Sequence, residues 1–247
     1  MLPVRILRPP FFEIGPKAYL YGDEVLQLAL AADRASVRYG IQVIFTAPLL
    51  ELSRVAAAAQ HLFVCAPHMD PIRRGRGLAD VLPEAVRDAG AKGVMLNHAE
   101  RPVSYAVLER TIRRAEEVGL FTIVCANSVS DVRAIALLSP DIIVAEPTEL
   151  IGTDSTSDRS YVNATTNAVR DVNPDILILQ AAGISGPSDV YRIIAAGADA
   201  TGSSSAVADT SDPGAMAEEM IHAVRRAWDA RTSRPFDAAR PRVAAVN

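Results

Sequence analysis

Three side chains that can take, donate or stabilise charge come shortly after short apolar runs of the chain. Lys17 follows the run FFEI, His98 follows GVML and Glu146 follows IIVA. Alone, such a lysine is ordinarily solvated and such a histidine ordinarily makes a structural hydrogen bond. An acid after a buried strand is harder to explain, because burying its charge is costly unless the group is paired or used. If the runs are parallel strands of one barrel, their carboxyl ends meet and the three groups share one cavity.

Together these groups fit one kind of chemistry, the transfer of a proton between adjacent carbons of a hydroxy-carbonyl compound. A carboxylate takes the carbon-bound proton, a neutral donor polarises the carbonyl, and a cation stabilises the developing negative charge. We expect Glu146, His98 and Lys17 in these roles, in that order. Glu100, two residues after His98, either pairs with Lys17 or is a solvated loop carboxylate, and the sequence leaves both readings open.

The elements that must position these groups alternate along the whole chain as apolar runs and segments of helical periodicity. The predicted strands are Phe11–Ile14, Val43–Thr46, Leu62–Cys65, Gly93–Leu96, Phe121–Cys125, Ile142–Ala145, Ile176–Gln180 and a weaker run at Ala198–Ser203. The predicted helices include Glu24–Tyr39, Tyr105–Val118, Ser130–Leu138, Ser160–Val172, Pro187–Ala196 and Pro213–Trp228. This pattern predicts an α/β fold, a closed (β/α)₈ barrel of parallel strands, with a doubly wound open sheet as the less favoured arrangement.

Length and composition agree with one such domain. The chain has 247 residues, 49% of them hydrophobic and only 5% aromatic. We therefore predict a single barrel over residues 1–230 with a core of small aliphatic side chains, and a poorly packed tail over 231–247. The region 67–80, which has no period, is predicted to be a long functional loop.

Charge, hydropathy and cysteine content indicate which partners and which cellular compartment to expect. The net charge of −4 shows no excess of basic residues of the kind that binds nucleic acid, so we expect no nucleic-acid partner. No apolar run approaches the roughly 20 residues that span a bilayer, so we expect no membrane segment. Cys65 and Cys125 both lie in apolar runs, which favours two buried thiols in a cytoplasmic protein over a disulfide.

At these positions the chain resembles the triosephosphate isomerase family, especially its short archaeal form. The resemblance runs from about Phe11 to Arg231 and is carried by HMDPI, DVLPEAVRDAGAKGVMLNHAE, RRAEEVGL, VAEPTELIGT and AAGIS. It implies that His98 is the electrophile, Glu146 the base and Lys17 the cation. It also implies a small phosphorylated sugar as substrate, an aldose–ketose isomerisation, and a dimer or higher homo-oligomer.

The resemblance further implies how the phosphate is held. This family is itself a standard example of enzymes that close a loop over the substrate, and Pro147–Ser157 matches that loop. By match, backbone N–H groups of Gly152 and Thr153 on the lid, of Gly183, and of Ser205 with Ala206 before the last helix would bind the phosphate. The alternative for the serines at 203–205 is an ordinary polar turn.

Several positions depart from the family pattern. Gly15 stands where the family has an asparagine, and Leu78-Ala79 stand where it has the Thr-Gly that contacts this asparagine across the dimer. Asp154 and Ala206 replace glycines. Because loss of the asparagine side chain frees volume beside the reacting carbons, a four-carbon ketose phosphate is a candidate substrate next to triose phosphate.

Two other functions stay open. The altered positions favour, as one alternative, a catalytically silent barrel with a binding or regulatory role. The other is a different (β/α)₈ enzyme, such as a phosphate-binding synthase or a Schiff-base aldolase. For the aldolase, Lys17 is the only candidate lysine because Lys92 precedes its strand. We expect no metal, since the histidines lie on separate elements, and no cofactor, since the chain contains no glycine-rich nucleotide-binding fingerprint. His68 with Asp70 is predicted to be a structural loop contact more readily than a metal site.

Overall fold

A computed structural model describes residues 7–147, 159–181 and 183–232 of the chain. The strands are β1 Phe11–Ile14, β2 Gln42–Thr46, β3 Phe63–Ala66, β4 Gly93–Leu96, β5 Phe121–Ala126, β6 Ile142–Ala145, β7 Leu177–Gln180 and β8 Ala200–Ser203. The helices are α1 Asp23–Tyr39, α2 Leu52–Ala58, α3 Pro83–Asp88, α4 Tyr105–Val118, α5 Val129–Ala136, α6 Arg159–Val172, α7 Pro187–Ala195, α8 Ser205–Ala208 and α9 Pro213–Thr232, with a 3₁₀ turn at Leu49–Glu51.

The eight strands form a closed parallel barrel in chain order, with β8 pairing β1. Each predicted strand is present within two residues of its predicted bounds, and the weak eighth run is the strand that closes the barrel. The predicted (β/α)₈ fold is therefore confirmed, and the open doubly wound sheet is excluded because β1 and β8 are hydrogen-bonded neighbours.

Alternation along each strand divides the apolar residues into two cores. One set fills the barrel interior and includes Phe11, Ile44, Cys65 and Ile123, while the other packs between the strands and the surrounding helices. Strands covered on both faces explain why the sequence shows short continuous apolar runs and no simple alternation. Cys65 and Cys125 are both buried free thiols, as the sequence predicted.

Glycine and capping residues end and begin the helices where the sequence favours it. Gly40 after α1 and Gly119 after α4 adopt the left-handed conformation, with φ of 61° and 75°. The Ser104 side chain caps α4 by accepting from the Val107 amide, and Asp212 accepts from the Ala215 amide at the start of α9.

The end of the barrel domain differs slightly from the prediction. Helix α9 continues to Thr232, and Arg231 donates to the carbonyls of Ile194 and Ala198 at 3.1 Å each. The two residues at the predicted start of the tail thus belong to the last helix, and the rest of the predicted tail lies outside the described residues. No helix in the described ranges is both long enough and apolar enough to cross a membrane.

Candidate active site

A cavity of about 760 Å³ opens at the carboxyl ends of the strands. Lys17, His98, Glu100 and Glu146 all line it, although they follow three different strands. In a parallel barrel every strand ends at the same rim, so residues far apart in sequence come together there. The structure thus brings together the four residues that the sequence singled out.

Lys17 reaches the cavity from an unusual backbone conformation. Its φ is 49°, in the left-handed region that a non-glycine residue rarely adopts. The preceding Pro16 carbonyl accepts a hydrogen bond from the Tyr19 amide, so the chain turns sharply after β1. The Lys17 Nζ donates to Glu100 Oε1 at 2.9 Å, and the Lys17 side chain is 25% exposed against 62% for the Glu100 side chain. This hydrogen bond, with the Lys17 charge, lowers the pKa of Glu100.

His98 is held in one tautomer by the loop that carries it. Its Nδ1 accepts a hydrogen bond from the Glu100 amide at 3.1 Å, so this nitrogen carries no proton. Burial and the nearby Lys17 charge lower the pKa of His98, which keeps the imidazole neutral at physiological pH. The proton of the neutral ring is therefore on Nε2, the nitrogen that faces Glu146.

Glu146 follows β6 directly and continues its ladder, since its amide donates to the Ala126 carbonyl at 3.0 Å. Its Oε2 lies 3.9 Å from His98 Nε2, and both side chains are only 15% exposed. Burial raises the pKa of Glu146, Lys17 opposes that shift and Glu100 adds to it. A poorly hydrated carboxylate of raised pKa is a stronger base than a surface carboxylate, as proton abstraction from carbon requires.

The predicted phosphate-binding residues divide between described and undescribed parts of the chain. Gly183 lines the cavity with a φ of 66°, a conformation that favours glycine. Ser205 and Ala206, which precede the last helix α9, are the first two residues of the short helix α8. Gly152 and Thr153, together with Asp154, lie outside the described residues.

Comparison with known proteins shows which family the chain belongs to. The family model of triosephosphate isomerase matches residues 16–218. The chain belongs to the triosephosphate isomerase family. It is 33% identical over 227 residues to the triosephosphate isomerase of Sulfurisphaera tokodaii, covering 90% of this chain and 99% of that protein. It is 34% identical over 220 residues to that of Methanosarcina mazei, covering 87% and 99%.

Membership of the family confirms the resemblance that the sequence predicted, including its archaeal character. The match to Methanocaldococcus jannaschii is 36% identical over 181 residues, 72% of this chain and 82% of that triosephosphate isomerase. The family and its named members indicate an aldose–ketose isomerase and do not favour the catalytically silent barrel.

The structure also contains site residues that the sequence reasoning missed. Glu13 in β1 lines the cavity while only 8% exposed, and Thr46 Oγ1 donates to its Oε1 at 2.6 Å. The signal was available, because a glutamate inside a four-residue buried strand needs an explanation.

Asn97 was missed as well. It precedes His98 at a φ of 57°, donates to the Cys125 carbonyl at 3.0 Å and accepts from the Val103 amide at 3.2 Å. These bonds fix the turn that presents His98, so Asn97 positions the electrophile without contacting the cavity contents.

Glu13 changes the interpretation of one departure from the family pattern. A Cβ at Gly15 would lie 3.1 Å from Glu13 Oε1. The volume beside Gly15 that the sequence predicted to be free therefore holds a carboxyl group. Gly15 makes room for Glu13, and the lost asparagine side chain is replaced by a group of different chemistry from within the barrel.

The predicted loop at 67–80 has no helix or strand, and polar contacts close it. Asp70 joins its two ends, because its amide donates to the Val81 carbonyl at 3.0 Å and its Oδ2 accepts from the Val81 amide at 2.7 Å. His68 Nε2 lies 3.1 Å from Asp70 Oδ1, in the structural contact that the sequence favoured. Across the described residues, no group of three or more His, Cys, Asp or Glu side chains is placed to hold a metal ion.

Proposed function

We propose that this chain isomerises a small sugar phosphate by moving a proton between two adjacent carbons, with Glu146 as base, His98 as electrophile and Lys17 as cation. The observation that carries the proposal is the meeting of a buried carboxylate with the protonated nitrogen of a neutral imidazole, 3.9 Å apart, in a cavity that also receives an ammonium group. A substrate between them can lose a carbon-bound proton to one group while its oxygens face the other.

The mechanism follows from the charges of these groups. Glu146 removes the proton next to the carbonyl, and the electron pair left on carbon moves into the carbonyl to give an enediolate. The His98 Nε2–H donates its proton to the oxygen on which negative charge develops, and Lys17 stabilises that charge. The same nitrogen then takes the proton of the neighbouring hydroxyl group, so a proton passes from one oxygen to the other. Glu146 then returns the proton to the neighbouring carbon, so the carbonyl and hydroxyl exchange places and no redox partner is needed.

Glu100 completes the arrangement as a positioning residue. Its carboxylate holds the Lys17 ammonium group and its amide holds His98 Nδ1, so one short segment orients both the cation and the electrophile. Phosphate binding by Gly183, Ser205 and Ala206, with Gly152 and Thr153 of the lid, would keep the reacting carbons beside Glu146. The N–H groups of a helix's first residues have no intrahelical partner and are free to bind an anion.

Dihydroxyacetone phosphate is the first substrate to test, because the relatives are named triosephosphate isomerases. The D- and L-erythrulose phosphates should be assayed beside it. Glu146→Gln keeps the shape of the base and removes its ability to take a proton, so we expect kcat to fall by about 10²–10⁴-fold. The matched control is Glu116→Gln on the exposed face of α4, which should keep full activity.

Two outcomes would contradict this proposal. Turnover that survives Glu146→Gln would assign the base to another residue. Absence of turnover of every ketose phosphate by folded protein would revive the silent barrel. Schiff-base chemistry at Lys17 is tested separately, since borohydride with substrate would trap a covalent adduct only in an aldolase.

Self-association forms part of the proposal. Leu78 in the loop 67–80 is fully exposed, and Leu50 and Tyr21, which both line the cavity, are 95% and 80% exposed. Large apolar side chains exposed together mark interaction surfaces. We expect a homo-oligomer that Leu78→Asp dissociates, and size-exclusion chromatography with light scattering measures this; a wild-type monomer would contradict it.

A further inference from the structure

The floor of the cavity carries a carboxyl group that the mechanism above does not use. Glu13 is the third residue of β1, at the register of Gly202 on β8 and Ile44 on β2. Its neighbours inside the barrel are mostly apolar, yet it lines the same cavity as Glu146 and Lys17. A carboxyl group in such surroundings is costly unless it is paired or used.

The surrounding residues are built to accommodate this group. A Cβ at Gly202 would lie 2.9 Å from Glu13 Oε2, and a Cβ at Gly15 would lie 3.1 Å from Glu13 Oε1. Side chains at these two positions would therefore press on the carboxyl group. Within the described ranges the Thr46 hydroxyl is its only hydrogen-bond donor, and it binds Oε1. Oε2 is left to bind another donor.

The depth of Glu13 indicates which end of a substrate it meets. All strands run towards the cavity mouth, and Ser205 lies three residues beyond Gly202, the register partner of Glu13. Because β8 ends at Ser203, the candidate phosphate site lies beyond the end of the strand and nearer the mouth than Glu13. A sugar phosphate bound with its phosphate at Ser205 would thus direct its opposite end towards Glu13.

We propose that Glu13 is a substrate-contacting residue that binds the hydroxyl group furthest from the phosphate, and that it favours a four-carbon ketose phosphate over a triose phosphate. The inference rests on the proposed isomerase function and names its substrate class. In a four-carbon ketose 1-phosphate the proton moves between C3 and C2, which gives the ketose 4-phosphate. The C4 hydroxymethyl group lies one carbon beyond this reacting pair, where it reaches the cavity floor. Glu13 binds this group and takes no part in proton transfer from carbon.

The chemistry of the carboxyl group suits a hydroxyl partner. Burial raises the pKa of Glu13 to about 7, a shift that Thr46 and Lys17 oppose and Glu146 reinforces. Near neutral pH the group can therefore accept a hydrogen bond as carboxylate or donate one as acid, and a hydroxyl group can do both. A second phosphate or carboxylate on the substrate would instead be repelled by Glu13 and Glu146.

The test is the ratio of kcat/KM for erythrulose phosphate to kcat/KM for dihydroxyacetone phosphate. Glu13→Val has nearly the volume of glutamate and removes both oxygens, so we expect this ratio to fall by about 10- to 100-fold. Glu13→Gln keeps an acceptor and should lower the ratio less. The control is Met95→Leu, another lining residue of the cavity, which should leave the ratio unchanged. A purely structural role of Glu13 would lower both activities alike.

Binding of unreactive polyol phosphates separates this inference from the proposed function. Glycerol 3-phosphate and erythritol 4-phosphate have no carbonyl, and calorimetry measures their Kd in wild type and the Glu13 variants. We expect Glu13→Val to weaken erythritol 4-phosphate alone. If the kcat/KM ratio and both Kd values do not depend on Glu13 while Glu146→Gln abolishes turnover, the inference is overturned and the isomerase function stands.

The remaining outcomes are also decisive. If wild type turns over neither ketose phosphate, the proposed function fails and the two Kd values alone decide whether Glu13 contacts the terminal hydroxyl. If Glu13→Val does not fold, the decision passes to Glu13→Gln, and an unchanged ratio in that variant overturns the inference.

Discussion

Replacing Glu13 by glutamine tests whether the barrel interior holds an ionisable group at an energetic cost. The side chain is 8% exposed, and burial raises its pKa from the usual 4.5 to about 7. The folded protein therefore binds the Glu13 proton more tightly than the unfolded chain does. Stability is unaffected below pH 4.5, where both states are protonated, and falls as the pH rises from 4.5 to about 7, where only the unfolded chain is ionised.

The size of the effect follows from this shift. Each pKa unit corresponds to about 1.4 kcal/mol, so the ionisation of Glu13 costs about 3 kcal/mol of folding free energy once the pH exceeds 7. Of this, about 2 kcal/mol develops between about pH 5.5 and about pH 8.5. Glutamine does not titrate. The free energy of unfolding of Glu13→Gln, relative to that of wild type, should therefore be about 2 kcal/mol higher at the upper pH than at the lower one.

Urea unfolding at the two pH values measures this difference. Glu116→Gln, an exposed replacement of the same kind, is the control and should differ little from wild type at either pH. Thr46→Val removes the hydrogen bond that lowers the Glu13 pKa, so the pH-dependent loss of stability should extend to higher pH. If the gap between wild type and Glu13→Gln is the same at both pH values, Glu13 is not buried and ionisable as described.

Other predictions concern the catalytic groups and the backbone around them. Glu146 must be ionised to act as base, so kcat/KM should fall as the pH drops through its raised pKa. The Glu100 charge contributes to that rise, so Glu100→Gln should move the acidic limb of the pH–rate profile to lower pH. A move of that limb to higher pH would contradict this assignment. Asn97→Ala and Asn97→Gly both lose the two side-chain hydrogen bonds, but only alanine is strained by the left-handed φ. The alanine variant should therefore be less stable than the glycine variant by about 1 kcal/mol or more in thermal unfolding. Equal stabilities would contradict the role of φ. Both variants should lower kcat, because the turn presents His98. Gly183→Ala forces a φ of 66° on alanine, which should lower the free energy of unfolding by about 1–2 kcal/mol. It should also raise KM for the sugar phosphate, and an unchanged KM would argue against phosphate binding at this position.

Much of the architecture was accessible from the sequence because it depends on local patterns. Buried parallel strands need short continuous apolar runs, and the runs GVML and IIVA have the same bounds in the structure as in the prediction. Left-handed helix ends need residues such as Gly40 and Gly119, which the chain provides. The short helices α2 and α3 were not predicted, since six or seven residues carry too little periodicity to distinguish a helix from a loop.

Composition of the site was accessible in the same way, and its geometry was not. Lys17, His98 and Glu146 could be singled out because each follows an apolar run that ends at the barrel rim. The tautomer of His98 could not, because it depends on the Glu100 amide, and the left-handed φ of Lys17 and Asn97 leaves no compositional signal. These features depend on hydrogen bonds, some within one loop and one from Asn97 to the Cys125 carbonyl, and residue type alone does not show which of them form.

The sequence by itself determined the barrel, its family and the three chemical groups at its mouth, because strand periodicity and residue type are properties of short segments. Tertiary structure alone decided that the space beside Gly15 belongs to the carboxyl group of Glu13. That outcome depends on β8 closing against β1, which sets Gly202 beside Glu13, and on the hydroxyl group of Thr46 in β2 donating to Glu13 Oε1. Long-range strand register brings these residues together, and no local segment of the chain contains that information.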